Sequence, residues 1–254
     1  TPVFVNADTA GNATGGFSAN ITIGGVTKTI SIPNSFKVTP ENKSNLTINL
    51  SKCGAYIGPN TDPANFKEFM CQNLGATPGI DPFSAESGNH GAKYQWGAQT
   101  NEAGRYYSQA NDQTNAGTIA GWNTTDKPDG SWSDASKTAN DPCPSGYRVP
   151  TSLQWEAVIN NNNVERVGSW DDIGTNYTTA LYFRNPSNDR TLMLPAAGYR
   201  YNTDGSLGTR GSQGYYWSSS EAFTDAYYLG FDDSSVYMGN YNRTIGWSVR
   251  CVAQ

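Results

Sequence analysis

Residues 141–159 read DPCPSGYRVPTSLQWEAVI, and this stretch contains the clearest local element of the chain. Pro150 and Thr151 precede a run of apolar residues, Trp155 among them, at helical spacing. Thr151 followed three residues later by Gln154 is the capping-box pattern, in which each side chain accepts a backbone N–H at the helix start. The stretch therefore predicts a helix that begins directly after Thr151.

Two other segments carry weaker helical patterns. Residues 101–110 predict a second helix. In residues 66–72, Phe66, Phe69 and Met70 are spaced as on a helix, but alternate residues of the same segment also fit one face of a strand. The residues alone leave that choice open.

The first fifty residues have the texture of a small β module. Residues 17–23 and 46–50 alternate apolar with polar side chains, and residues 26–32 are rich in β-branched types. Gly24-Gly25 fits a hairpin turn between the first two strands. We predict a β-sandwich-like N-terminal module at residues 1–53.

A Gly-, Pro- and Asn-rich stretch at 54–63 marks the start of a larger domain, which we assign to residues 54–254. Short aromatic strands there alternate with long polar loops. The loop at 115–140 surrounds Trp122 and Trp132 and is expected to be a packed surface loop. The pattern predicts an α+β fold with short strands, long loops and one or two helices.

The composition favours recognition over nucleic-acid binding or histidine-based catalysis. The chain has 17 Lys+Arg against 22 Asp+Glu, which leaves no excess of basic residues for phosphate contacts. Its only histidine, His90, excludes any scheme that needs two imidazoles. Tyr, Ser, Gly and Asn are abundant, as in secreted recognition surfaces. With no run of 18 apolar residues, no membrane-spanning segment is predicted.

Four cysteines, Cys53, Cys71, Cys143 and Cys251, form no close pair of the kind that binds zinc. An even number in an Asn-rich chain favours two disulfides and an extracellular location. Three pairings exist in principle, of which the local pair Cys53–Cys71 leaves Cys143 with Cys251. Four free thiols in a cytosolic protein are the alternative.

A series of short motifs runs in fixed order from residue 66 to the end. The motifs are Met70–Ala76 (MCQNLGA), Tyr94–Gly97 (YQWG), Asp141–Thr151 (DPCPSGYRVPT), Trp155-Glu156, Leu194–Arg200 (LPAAGYR), Gly214–Ser220 (GYYWSSS) and Gly246–Val252 (GWSVRCV). Trp96, Trp155 and Trp217 in these motifs are expected to be core anchors with a polar handle. Arg148 and Arg250 are expected to be buried structural hydrogen-bond donors.

This series resembles the Fibrobacter succinogenes major paralogous domain, which occurs on surface proteins of Bacteroidetes. The resemblance covers about three quarters of the chain. It implies a C-type-lectin-like fold of the formylglycine-generating-enzyme branch, and a bacterial cell-surface location. More loosely, the N-terminal part is similar to fimbrillin-like β modules, which implies that other pilus subunits are partners.

The resemblance does not make the chain an enzyme. Formylglycine-generating enzymes bind copper with a pair of cysteines, and here every cysteine is assigned to a disulfide. Calcium-dependent sugar binding has weak support, because the carboxylate pairs Asp171-Asp172 and Asp232-Asp233 are the only candidates and the sugar-binding tripeptides of animal lectins are absent. We therefore predict a non-enzymatic protein without a cofactor, with a degenerate enzyme as the alternative.

The stretch 221–244 lies between the last two motifs and is rich in Tyr, Ser, Asp, Gly and Asn. These residue types resemble those of an antibody-like binding loop. Related lectin-fold domains are the variable proteins of diversity-generating retroelements, in which Asn codons near the C-terminus mutate to these residue types. The resemblance thus implies that this stretch is diversified. Leu229, Phe231, Val236 and Met238 are expected to point into the core.

These observations predict a surface or pilus-tip adhesin that binds an extracellular protein or glycan on its C-terminal hairpin face. A fixed-specificity carbohydrate-binding module is the nearest alternative. The predicted contact residues are Tyr216, Tyr227, Tyr228, Asp232, Asp233, Ser234, Tyr237, Asn240 and Tyr241.

Overall fold

The computed structural model describes residues 52–254 and, ahead of them, the backbone of residues 17–23 and 26–32. The chain separates into two units, Thr1–Leu50 and Ser51–Gln254, which are taken separately here. The strands of the described residues are β1 Phe17–Ile23, β2 Val26–Ile32, β3 Gly54–Tyr56, β4 Phe66–Glu68, β5 Lys93–Tyr94, β6 Tyr106–Tyr107, β7 Tyr147–Arg148, β8 Asn163–Val167, β9 Ala180–Arg184, β10 Arg190–Pro195, β11 Tyr199–Arg200, β12 Leu207–Gly208, β13 Gly214–Ala222, β14 Asp225–Phe231, β15 Val236–Asn242 and β16 Val252–Ala253. The helices are α1 Gln109–Thr114 and α2 Ser152–Asn161.

In the first unit, β1 and β2 pair antiparallel, with Phe17 opposite Ile32 and Ile23 opposite Val26. This pairing confirms the first two predicted strands. The Gly24-Gly25 turn and the strand expected at 46–50 lie outside the described residues, and the β-sandwich-like module stays a prediction.

The second unit is an α+β structure of small sheets with two helices. Two three-stranded antiparallel sheets, β10-β9-β8 and β13-β14-β15, are its largest, and four two-stranded sheets complete it. β16 pairs with β7, and Phe69 forms a bridge to Val252, so the last strand of this unit contacts a segment near the start of the same unit. The ambiguous segment at 66–72 starts as the strand β4.

The helix predicted after Thr151 is confirmed as α2. Thr151 Oγ1 accepts a hydrogen bond from Gln154 N at 3.1 Å, and the Gln154 side chain returns one to Thr151 N at 2.9 Å. The second helix was predicted over 101–110, and that position is wrong. Gly104 adopts a φ of +72°, which breaks a helix, and the Ser108 hydroxyl instead caps α1 from Gln109 onward.

The sheet β13-β14-β15 separates two apolar clusters, because successive side chains of a strand point to opposite faces. On one side Tyr216, Leu229 and Phe231 pack with Trp155 of α2. On the other side Trp217 packs with a second cluster of aromatic and apolar residues. That cluster includes Tyr94, Trp96, Trp132, Trp247 and Val249.

The expected tryptophan anchors are confirmed: Trp96, Trp155 and Trp217 are fully buried. Each indole N–H donates to a backbone carbonyl, at 3.0 Å to Ser218, 3.1 Å to Trp217 and 2.8 Å to Tyr94 respectively. Pairing the polar edge of the ring removes the cost of burying it. Through these bonds the three rings fix β13 against α2 and β5.

Of the two arginines expected to be buried, Arg250 is confirmed and Arg148 is half-buried. Arg250 donates to the Cys71 carbonyl at 2.8 Å and to Asn73 Oδ1 at 2.8 Å. The loop at 115–140 is packed as predicted, since it contains neither helix nor strand and buries Trp122 and Trp132.

Both predicted disulfides are present, Cys53–Cys71 and Cys143–Cys251. In the described part of the chain, no helix combines the length and apolar character needed to cross a bilayer.

A buried ionic cluster anchors the segment that follows β11. Arg200 Nε donates to Asp112 Oδ1 at 2.7 Å, and Arg210 contacts Asp112 Oδ2. Lys93 Nζ lies 3.7 Å from the same oxygen, and all four side chains are at most 1% exposed. Burial alone would raise the pKa of Asp112, but the three cations hold it below its ordinary value. One carboxylate thus contacts three buried cations and positions the chain from 199 to 210.

Candidate functional site

The two faces of the sheet β13-β14-β15 differ in exposure. Leu229 and Phe231 are buried against α2, and Val236 and Met238 pack on the same cluster, which confirms the expected core positions. The residues that alternate with them point to the opposite face of the sheet. There Trp217 and Ala226 belong to the second apolar cluster, and Tyr215 and Tyr228 pack against that cluster while staying partly exposed. That face therefore carries the candidate site.

Aromatic rings form a continuous patch on this second face, here called the tyrosine face. It consists of Tyr199, Tyr201, Tyr215, Tyr228, Tyr237, Tyr241 and Trp247. Tyr201 and Tyr241 are 43% and 49% exposed, the other tyrosines are half-buried, and Trp247 forms the floor.

The rings are held by one another. Tyr215 stacks on Trp247 with centroids 5.2 Å apart and planes within 7°, and Tyr228 lies 4.2 Å from Trp247. Tyr199 meets Tyr201 edge-on at 4.8 Å and Tyr215 at 5.6 Å. Each such contact is worth about 0.5–1.5 kcal/mol beyond the area it buries. The patch is therefore rigid before any ligand arrives.

Two glycines let the rings lie flat on the sheet. A Cβ at Gly239 would stand 2.7 Å from Tyr228 Oη, and one at Gly230 would stand 2.7 Å from the Tyr237 ring. Any side chain at these positions would displace a ring. The glycines of β14 and β15 thus shape the tyrosine face.

The phenol groups of Tyr199, Tyr215 and Tyr228 have raised pKa values and stay protonated at neutral pH. Burial and the neighbouring Tyr237 hydroxyl raise the pKa of Tyr228 to about 12. Burial also raises the pKa of Tyr215, whose hydroxyl donates to Gln213 Oε1 at 2.7 Å. Burial, with the nearby Tyr201 hydroxyl, raises the pKa of Tyr199 in the same way. The face consequently offers neutral rings and hydroxyl groups.

Of the predicted contact residues, Tyr228, Tyr237 and Tyr241 lie together on the tyrosine face. Tyr227 and Asn240 are cross-strand partners on the opposite face, beside α2. The expectation for Tyr216 is wrong. Its side chain is fully buried and its hydroxyl donates to the Pro195 carbonyl at 2.9 Å, because position 216 alternates onto the core side of β13.

The other predicted residues, Asp232, Asp233 and Ser234, form the turn between β14 and β15. Asp232 Oδ1 accepts from Ser234 N at 2.9 Å and from Ser235 N at 2.6 Å, so this carboxylate shapes the turn. Burial opposes ionisation, but these hydrogen bonds lower the pKa of Asp232 below its usual value. Asp233 and Ser234 are exposed at the tip.

Sequence reasoning missed four members of the tyrosine face: Tyr199, Tyr201, Tyr215 and Trp247. All lie in or beside the motifs that were assigned to the scaffold. The usable signal was the alternation of Tyr199 with Tyr201, together with adjacent tyrosines at 215 and 216 that must face opposite sides of one strand.

The two carboxylate pairs considered as calcium ligands, Asp171-Asp172 and Asp232-Asp233, do not form a common metal site. In the described residues, no group of three or more His, Cys, Asp or Glu side chains is placed to hold a metal ion. Asp172 lies instead beside the tyrosine face. Burial is the main cause of the raised pKa of Tyr199, the neighbouring Tyr201 and Tyr241 add to it, and the charge of Asp172 is the smallest contribution.

The geometry defines a class of surface: a rigid aromatic patch on a disulfide-linked α+β unit. A family model described as a domain of unknown function (DUF8237) matches residues 178–252. The match begins just before β9 and contains every residue of the tyrosine face. No curated protein and no solved structure is significantly similar to the chain.

Proposed function

We propose that this protein is an extracellular ligand-binding protein, a surface or pilus-tip adhesin, and that the tyrosine face binds its protein or glycan ligand. The motif series supports a C-type-lectin-like domain related to the Fibrobacter succinogenes major paralogous domain as the carrier of this face. A β module of the fimbrillin type ahead of it would connect the domain to other pilus subunits.

The observation that carries the proposal is the continuous ring patch. Tyrosines lose little side-chain entropy on binding and offer both apolar area and a hydroxyl, so they are the typical anchors of recognition surfaces. Here Trp247 and the glycines of β14 and β15 fix the rings in advance. A patch fixed in the free protein avoids much of the ordering cost of association.

The arrangement favours binding over catalysis. Three of its tyrosines, Tyr199, Tyr215 and Tyr228, have raised pKa values, which is the wrong direction for a general base at neutral pH. His90 is fully buried, and burial lowers its pKa to about 3. The groups near the face therefore supply contact area and hydrogen bonds.

The test is a binding screen on glycan and extracellular-protein arrays with wild-type protein and the double variant Tyr201→Ala/Tyr241→Ala. Both side chains are half exposed, so the variant should fold normally, with a Tm close to that of the wild type. We expect its binding to fall about tenfold or more, since two anchors at the patch are lost.

Leu153→Ala is the matched control, because Leu153 is 73% exposed on α2, on the other side of the sheet. It should bind as the wild type does. Equal binding by all three proteins would show that the ligand sits elsewhere, and empty arrays would remove the support for a binding function.

A further inference from the structure

The polypeptide that builds the tyrosine face is unusually poor in cations. Residues 199–247 contain five acidic side chains and three arginines, and neither lysine nor histidine. The acidic residues are Asp204, Glu221, Asp225, Asp232 and Asp233. Arg200 and Arg210 are at most 1% exposed and both pair with Asp112, and Arg243 is 3% exposed. None of the three guanidinium groups is accessible to a ligand on the face.

The acidic groups border the rings. Asp172 acts on Tyr199 at one side, and the Asp232-Asp233 turn follows directly on β14 next to Tyr237. Three arginines contact the sheet, and each is held by other groups: Arg148 lies 3.5 Å from Ser219 Oγ and also donates to the Ser133 carbonyl. Arg166 Nε donates to the Asp232 carbonyl at 3.0 Å, and buried Arg243 donates to Asp129 Oδ1 at 2.7 Å. The rim of the face is therefore negative overall.

The rings themselves attract cations, because an aromatic face is the negative pole of the ring quadrupole. This chain uses that attraction internally: Arg190 lies 4.0 Å from the Tyr182 centroid, and Arg243 lies 4.4 Å from the Trp96 ring. Of the cation–π contacts within residues 52–254, none involves the tyrosine face. Its exposed rings at Tyr201 and Tyr241 have no cationic neighbour of that kind.

Two side-chain amides near the face use their oxygens within the protein. Gln213 Oε1 accepts from the Tyr215 hydroxyl at 2.7 Å. Asn242 Oδ1 accepts from Thr244 N at 2.9 Å and from the Thr244 hydroxyl at 2.5 Å. A glycan would gain from the rings and the tyrosine hydroxyls, whereas a cation gains from both the rings and the acidic rim.

From this charge complementarity we propose that the occupant of the tyrosine face is a cationic protein segment, whose Lys or Arg side chains lie over the exposed rings of Tyr201 and Tyr241. The inference rests on the proposed binding function and narrows it to one class of partner.

The test uses three peptides of about twelve residues, built from Gly-Arg-Ser, Gly-Gln-Ser or Gly-Glu-Ser repeats, with cellohexaose as the neutral glycan. Titration calorimetry with the full chain should show the arginine peptide binding about tenfold more tightly than the glutamine peptide. Raising the salt from about 0.05 to 0.3 M should weaken its binding, because the acidic rim is screened. The glutamic-acid peptide should not bind.

Substitutions separate ring chemistry from hydroxyl chemistry. Tyr201→Phe/Tyr241→Phe keeps the ring faces, so it should keep the affinity for the arginine peptide within about threefold, while the corresponding double Ala variant should lose about tenfold. Asp172→Asn should lower the affinity for the arginine peptide, and Leu153→Ala should leave that affinity unchanged.

An arginine peptide that binds no better than the glutamine peptide overturns the proposal, and so does a Phe variant that loses as much affinity as the Ala variant. If cellohexaose or the glutamic-acid peptide binds instead and the Ala variant abolishes that binding, the tyrosine face is a binding site but its ligand is not a cationic segment. If no probe binds and the arrays of the previous test are empty, both proposals fall.

Discussion

Replacing Asp112 with asparagine is expected to destabilise the protein by about 3–5 kcal/mol, the cost of removing one partner from a buried ion pair. Asp112 is the only carboxylate in contact with Lys93, Arg200 and Arg210 within the described chain, and asparagine would leave three buried cations without a counter-charge. A loss of this size is a large share of the 5–15 kcal/mol typical of a folded domain. Urea unfolding monitored by tryptophan fluorescence measures it.

Lys93→Met in the same cluster is the control. Lys93 is fully buried, and its Nζ has no hydrogen-bond acceptor among the described residues. Burial lowers the pKa of Lys93 to about 8, which means that the environment disfavours the charged form. Removing this charge should be neutral or stabilising. Equal destabilisation by Asp112→Asn and Lys93→Met would contradict the charge balance described here.

The second large effect is expected from the disulfide that joins residues 108 positions apart, Cys143–Cys251. On the chain-entropy account a loop of that length contributes about 4–5 kcal/mol, against about 3 kcal/mol for the 18-residue separation of Cys53 and Cys71. The two loops do not overlap along the sequence, but Met70 N donates to the Cys251 carbonyl at 2.8 Å, so the two bonds lie in adjacent segments and each is removed in a separate variant.

Denaturant unfolding of the double variants Cys143→Ala/Cys251→Ala and Cys53→Ala/Cys71→Ala compares the two bonds directly. We expect the first variant to be the less stable, also because Cys143 and Cys251 are buried in the aromatic cluster and alanine leaves a cavity there. The opposite order would show that loop length does not govern the stabilisation.

Structural features that depend on residues close together in the sequence could be predicted. The Thr151 capping box predicted the start of α2. The alternation in 17–23 predicted a strand, and the alternation around Leu229 and Phe231 predicted a strand with the correct core face. Large aromatic residues flanked by small ones identified the buried tryptophans. Each of these signals lies within about ten residues, where backbone periodicity is sufficient evidence.

The site was predictable only in part, because it is assembled from distant segments. One polar stretch of sequence contains the three tyrosines that were predicted correctly, Tyr228, Tyr237 and Tyr241. The other members, such as Tyr199, Tyr201 and Trp247, come close to them only through tertiary packing. Tyr216 was assigned to the surface because composition says nothing about which face of β13 a tyrosine occupies. Diversification of residues 221–244 stays a prediction.

Tyrosine footprinting tests the central claim most directly, since it locates the ligand on the protein. The protein is iodinated under mild conditions with and without the ligand found on the arrays, and labelling at each tyrosine is quantified by mass spectrometry. Binding at the tyrosine face predicts protection of Tyr201 and Tyr241, while Tyr227 beside α2 and Tyr147 on β7 keep their labelling. Protection of Tyr227 or Tyr147 with unchanged labelling of Tyr201 and Tyr241 would contradict it.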